Sequence, residues 1–227
     1  MPLLYVFSMP LTLKESNLSA HIKDMLNKCD MFIGEEEKAV RTLIRILKAG
    51  EKKFFLLNEH TKYAEKTYIL EYLKIINTAC LFSDTGAACV ADPGYDLIDM
   101  CHANNIDVAS LPGPSSITTA LSVSGFYAES FYFAGYPPKK EKERQLFFDD
   151  IIKTEKTTLF IERPYVMKNL VKYLEKIKNK RLCITYNLGS SNEKIIRGLI
   201  DNIKEDLLNM PKAPFVVIVE GKNGKRM

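Results

Sequence analysis

The chain has no tryptophan and only three histidines among its 227 residues. His21, His60 and His102 are scattered, with no pair at metal-ligand spacing, so no metal site is expected. Cysteine is also scarce. Cys29, Cys80, Cys89, Cys101 and Cys183 are odd in number and form no C-x-x-C pair. That pattern argues against a disulfide framework or a dithiol redox motif. It reads instead as small buried hydrophobes in a reducing, cytoplasmic setting. No apolar run approaches the roughly 20 residues a membrane span needs. The opening MPLLYVFSMPLTL lacks a basic n-region and an A-x-A site, so it reads as a strand and not as a signal peptide. G-x-G-x-x-G and Walker A loops are missing as well, which leaves neither a dinucleotide nor a nucleoside triphosphate as the natural ligand.

What is present is alternation. With 46% hydrophobic residues, the chain can bury one large core or two small ones. Strands are expected at 4–8, 31–34, 54–57, 78–83 and 106–111. Helices are expected at 18–28, 35–49, 63–76, 95–105 and 115–124, the pattern of a mainly parallel sheet covered on both faces. After that the character changes. An aromatic strand at 130–136 breaks at Pro137-Pro138, and further elements follow at 144–153, 157–161, 165–178, 182–187, 193–198, 201–208 and 215–220. A boundary within 117–127 gives two α/β domains, 1–120 and 121–227. A net charge of +4 permits a nucleic-acid partner without requiring one. The polar tail 222–227 (KNGKRM) is either frayed or a phosphate contact.

Two loops carry most of the chemical information. SDTGAACVADPG at 83–94 and LPGPSS at 111–116 each place small residues and a helix start directly after a strand. In open α/β sheets the ligand crevice lies outside the carboxyl ends of the strands. Backbone N–H groups and the Asp84 carboxylate there suit a small polar ligand. Asp84 is either that ligand's partner or the anchor of an Asx-turn. Ser115 is placed to cap the helix that follows it.

SDTGAACVADPGYDL, LPGPSSITTALSVSGF and FYFAGYPPKKEKER resemble the ribosomal RNA small-subunit methyltransferase I family, within the tetrapyrrole methylase superfamily. Those enzymes methylate a cytidine 2′-hydroxyl using S-adenosylmethionine (SAM). The resemblance extends over nearly the whole chain. It implies two α/β domains with SAM in the cleft between them, a homodimer, and ribosomal RNA or the small ribosomal subunit as partner. It also implies that Ser83, Asp84, Thr85, Gly86 and Ala87 line one SAM loop, and Gly113, Pro114, Ser115 and Ser116 the other. Leu11 would face the same cleft, and Ile161, Leu188 and Phe215 would be apolar walls of the adenosine site, unless they are simply core.

Methyl transfer to oxygen is an in-line displacement, which asks for alignment and removal of one proton. Asp84 and Glu162 are the candidate catalytic groups. Glu162 is otherwise a salt-bridge partner of Arg163 or a nearby lysine. Glu35, Glu36 and Lys38 either face substrate, as the resemblance implies, or belong to a solvated charge run that complements a helix dipole. Lys139, Lys140, Lys142 and Arg144 follow the Pro-Pro break as a loop that could grip RNA phosphates.

The chain departs from the family on the substrate side. Its first loop reads Ser8-Met9-Pro10-Leu11 where a Gly-Asn pair is usual a few residues on, and Tyr165 and Val166 stand where the family carries histidine and arginine. Tyr186-Asn187 replaces an arginine-glutamate pair. The donor side is better kept than the acceptor side. A tetrapyrrole or other small acceptor, or a SAM- or RNA-binding protein without catalysis, therefore stays open as an alternative.

Overall fold

Apolar residues at the spacing of one helix face build the first layers. The computed structural model describes residues 2–222, so residues 223–227 of the polar tail lie outside the described residues. Two compact units meet in sequence between Ser115 and Ser116.

The first unit has strands β1 (Leu3–Phe7), β2 (Met31–Gly34), β3 (Lys53–Leu56), β4 (Thr78–Phe82) and β5 (Asp107–Leu111). They form one sheet in the order β3-β2-β4-β1-β5, with every pairing parallel. Parallel neighbours require crossover helices: α1 (Ala20–Lys28), α2 (Glu37–Leu47), α3 (Tyr63–Leu73) and α4 (Tyr95–Ala103). In α2, Val40, Leu43 and Leu47 are buried at helical spacing, while Arg41 and Glu37 pair on the outer face at 2.6 Å. Ser19 caps α1 by accepting from the Ile22 N–H at 3.2 Å.

The winding reverses after β3, so the helices divide between the faces. Leu26, Val40, Leu43 and Leu47 from α1 and α2 pack with Phe7, Phe32, Cys80 and Phe82 on one face. Ile69, Leu70, Leu73, Leu97 and Cys101 from α3 and α4 pack with Leu4, Met31, Ile33 and Leu81 on the other. Each fully buried aliphatic or aromatic side chain contributes about 1.5–3 kcal/mol. The register sets Phe7 beside Phe82 and Leu111, and Gly34 beside Phe82. The loops after β1, β2, β4 and β5 therefore leave the sheet at one level.

The second unit is mixed and not mainly parallel. β6 (Phe131–Phe133) runs parallel to β7 (Thr157–Glu162), while β10 (Phe215–Val219), β8 (Leu182–Tyr186) and β9 (Lys194–Gly198) continue the sheet antiparallel in the order β6-β7-β10-β8-β9. One face carries α6 (Glu141–Lys153), α7 (Met167–Leu174) and α8 (Ile200–Leu208) over Phe160, Ile184, Phe215 and Val217. Phe148 stacks on Tyr173 at 4.6 Å within that core. The opposite face, with Val216 and Ile218, receives α5 (Ser116–Ser124).

Helix α6 starts at Glu141, three residues before the expected position. Lys142 and Arg144 are thus helical, not part of a loop. Arg144, Phe148 and Ile151 share the buried stripe of the helix at i, i+4 and i+7. Of the cysteines, all but the half-buried Cys89 are buried, and all are free thiols. Among the described residues no helix is long and apolar enough to cross a membrane.

Candidate active site

The carboxyl edge of the first sheet is tied together by its backbone. Ser8 N–H donates to the Leu111 carbonyl at 3.1 Å, and Met9 and Gly86 exchange hydrogen bonds at 2.8 and 3.0 Å. The loop after β1 is thereby clamped between those after β4 and β5. A Cβ on Gly113 would lie 2.3 Å from the Ser8 carbonyl oxygen, so only glycine permits this approach.

The β4 loop is strained. Gly86 and Gly94 have positive φ, and so do the non-glycine residues Cys89 (65°) and Ala91 (61°). Left-handed backbone costs a residue with a Cβ roughly 1–2 kcal/mol, and such strain concentrates at functional sites.

Four carboxylates come close to one another on the loops after β2 and β4. Asp84 Oδ1 is buried with no hydrogen-bond partner. Burial pushes the Asp84 carboxyl up, and Glu36 adds like-charge repulsion, against a hydrogen bond from the Glu36 backbone. Glu35 is driven up to about 7, by burial first and then by Asp92, Asp84 and Glu36, although the Asp84 backbone N–H donates to it. Asp92 rises to about 6 through burial and Asp84, opposed by the Ser83 hydroxyl. That hydroxyl also reaches the Thr85 carbonyl at 3.1 Å, and its single proton serves one acceptor at a time. No group of His, Cys, Asp and Glu arranged to hold a metal occurs among the described residues.

This arrangement separates the expected site residues. Gly86 and Gly113 take part in the clamp and Ser83 and Asp84 lead into it from β4, with Ala87 and Leu11 half-buried and Thr85 and Pro114 exposed. Ser115 ends the first unit and Ser116 opens α5, both half-buried. Glu35 departs from the solvated charge run: it precedes α2, partly buried against Asp84, whereas Glu36, Glu37 and Lys38 are exposed. Asp92 is a member that sequence reasoning missed, because Asp-Pro-Gly reads fully as turn chemistry.

In the second unit, the β7, β8 and β10 register brings Glu162, Tyr186 and Phe215 to one end of the sheet, and Leu188 lies two residues beyond Tyr186. Two readings change here. Arg144 is not a phosphate grip: its side chain is 6% exposed and forms an ion pair with Glu162, which is 0% exposed. Glu162 also accepts from the Arg163 N–H at 2.9 Å, so its oxygens are engaged inside the unit and not aimed at a substrate proton. Phe215 packs in the α6–α8 core, which makes it structural, while Leu188 is buried and Ile161 half-buried. Lys139, Lys140 and Lys142 are exposed as expected.

The fold is similar to that of a diphthine synthase, with a TM-score of 0.74 at 14% identity over 97% of this chain and 90% of that one. A uroporphyrin-III-C-methyltransferase from Thermus thermophilus gives 0.62 at 13% identity, over 98% and 95%. These likenesses define the fold. The sequence is 29% identical over 215 residues to the ribosomal RNA small subunit methyltransferase I of Leptospira borgpetersenii, covering 92% of this chain and 85% of that protein. With the Vibrio cholerae protein of the same name it is 29% identical over 226 residues, 97% and 77% of the two chains. The model of the tetrapyrrole (corrin/porphyrin) methylases matches residues 14–204, and the chain belongs to that family. It is a SAM-dependent methyltransferase.

Proposed function

We propose that this enzyme methylates small-subunit ribosomal RNA, at the 2′-hydroxyl of a cytidine, and works as a cytoplasmic homodimer. The unpartnered Asp84 Oδ1, two residues before the Gly86 that bonds Met9, carries the assignment of the donor site. An orphaned acceptor among repelling carboxylates suits a ligand bearing positive charge and hydrogen-bond donors, and SAM has a sulfonium, an ammonium and ribose hydroxyls. When bound, SAM supplies the electrophilic methyl group. Asp84 would accept from the donor's N–H or O–H groups, while the backbone of the Ser83–Ala87 and Gly113–Ser116 loops holds it in line. Glu35, close to half-ionised near pH 7, is suited to take up the proton of an acceptor hydroxyl. The names of the Leptospira and Vibrio relatives support ribosomal RNA as the acceptor.

The test supplies purified enzyme and methyl-labelled SAM to small ribosomal subunits from a strain deleted for the gene. Label at one cytidine, resistant to alkali, is expected. SAM binding without transfer to RNA would refute the acceptor and favour a small-molecule substrate or a non-catalytic role.

A further inference from the structure

At the carboxyl ends of the parallel strands β6 and β7, two tyrosines stand in solvent beside an excess of positive charge. Tyr136 follows β6 and is 42% exposed; Tyr165 lies in the turn after β7 and is 66% exposed. The backbone joins these ends, with Ile161 N–H donating to the Gly135 carbonyl at 3.0 Å. The Arg163 guanidinium lies 5.8 Å from the centre of the Tyr136 ring. Its nearest carboxylate, Glu162 at 3.7 Å, is already engaged by Arg144, so two guanidinium groups share one negative charge. Exposed Lys139, Lys140 and Lys142 follow Tyr136 within six residues, and Lys140 pairs with Glu143 at 3.2 Å on the surface.

We infer that Tyr136 and Tyr165 form a stacking platform for unpaired RNA bases, with Arg163 and the three lysines holding the flanking phosphates. Exposed rings offer their faces to bases that have left a helical stack, and duplex bases are not available for this. A second copy of the chain is a poorer occupant, since a two-fold contact here would set these cations against their own equivalents. The inference rests on the RNA acceptor proposed above and adds the form in which it is bound: single-stranded or looped.

The probe is a fluorescein-labelled 12-nucleotide single-stranded RNA, compared with the same sequence as a duplex, read by anisotropy. Wild type should bind the single strand about tenfold or more tightly than the duplex. Tyr136→Ala and Tyr165→Ala should each weaken it at least about fivefold with the salt dependence unchanged, and Tyr→Trp at either position should restore it. Equal binding of both RNAs, full binding by the alanine variants, or a loss of dimer by sedimentation in those variants would overturn the platform. Methylation of small subunits separates the two readings. Transfer that ignores both tyrosines refutes the platform alone. Tyrosine-dependent RNA binding without any transfer refutes the acceptor alone.

Discussion

Replacing Glu35 by Gln should stabilise this enzyme, and only at neutral and alkaline pH. Glu35 is raised from 4.5 to about 7, so the folded protein binds its proton more tightly than the unfolded chain does. Below about pH 4.5 both states are protonated and Glu35 costs nothing. The cost grows between 4.5 and 7 and is complete above 7. The full elevation corresponds to about 3.4 kcal/mol at 1.36 kcal/mol per tenfold, and solvent screening at a partly exposed carboxylate reduces this to about 1–2 kcal/mol. At roughly 2–4 °C per kcal/mol, Glu35→Gln should raise the melting temperature by about 2–8 °C at pH 8 and leave it unchanged near pH 4.5. Thermal unfolding followed by circular dichroism at fixed ionic strength across pH 4.5–8.5 reads the difference. Equal stabilisation at both ends of the range would refute the buried-repulsion argument, and so would no stabilisation at pH 8. Asp92, raised to about 6, adds a smaller loss of stability in the same direction as pH rises.

Three further perturbations follow from the same geometry. Gly113→Ala would place a methyl 2.3 Å from the Ser8 carbonyl and force the loops apart; at least about a tenfold loss of SAM affinity by calorimetry is expected, and unchanged affinity would contradict the clamp. Arg144→Ala leaves the buried Glu162 with the Arg163 guanidinium at 3.7 Å as its remaining counter-charge, at a cost of up to about 3–5 kcal/mol in urea unfolding. Arg144→Met combined with Glu162→Leu should recover most of that loss, and a double variant no better than the single one would show that the charge is not the cause. Alanine at Lys139, Lys140 and Lys142 should lower the slope of log affinity for single-stranded RNA against log salt by up to about 2, and an unaltered slope would remove these lysines from the phosphate contacts.

The architecture was largely legible because strand and helix periods differ. Val40, Leu43 and Leu47 mark α2, and the apolar run Thr78–Phe82 marks a strand buried on both faces. The Asp84 and Gly113 loops stood out because small residues follow strands there. Strand direction in the second sheet was not legible, since local pattern carries no record of which neighbour a strand will meet. Arg144 was misread for a related reason. Its spacing to Phe148 and Ile151 placed it on the buried stripe, but a cation beside lysines reads as surface until Glu162 is brought to it by β7. Glu35 and Asp92 owe their character to convergence of separate loops, and no segment of sequence shows that.

The donor site itself is tested most directly by titrating SAM into wild type and Asp84→Ala in a calorimeter, with melting curves as the control for folding. Tight binding at one SAM per chain by wild type is expected, with at least a tenfold weaker Asp84→Ala that melts no earlier. Equal affinity and stoichiometry in the two proteins would contradict the placement of the methyl donor at this sheet edge.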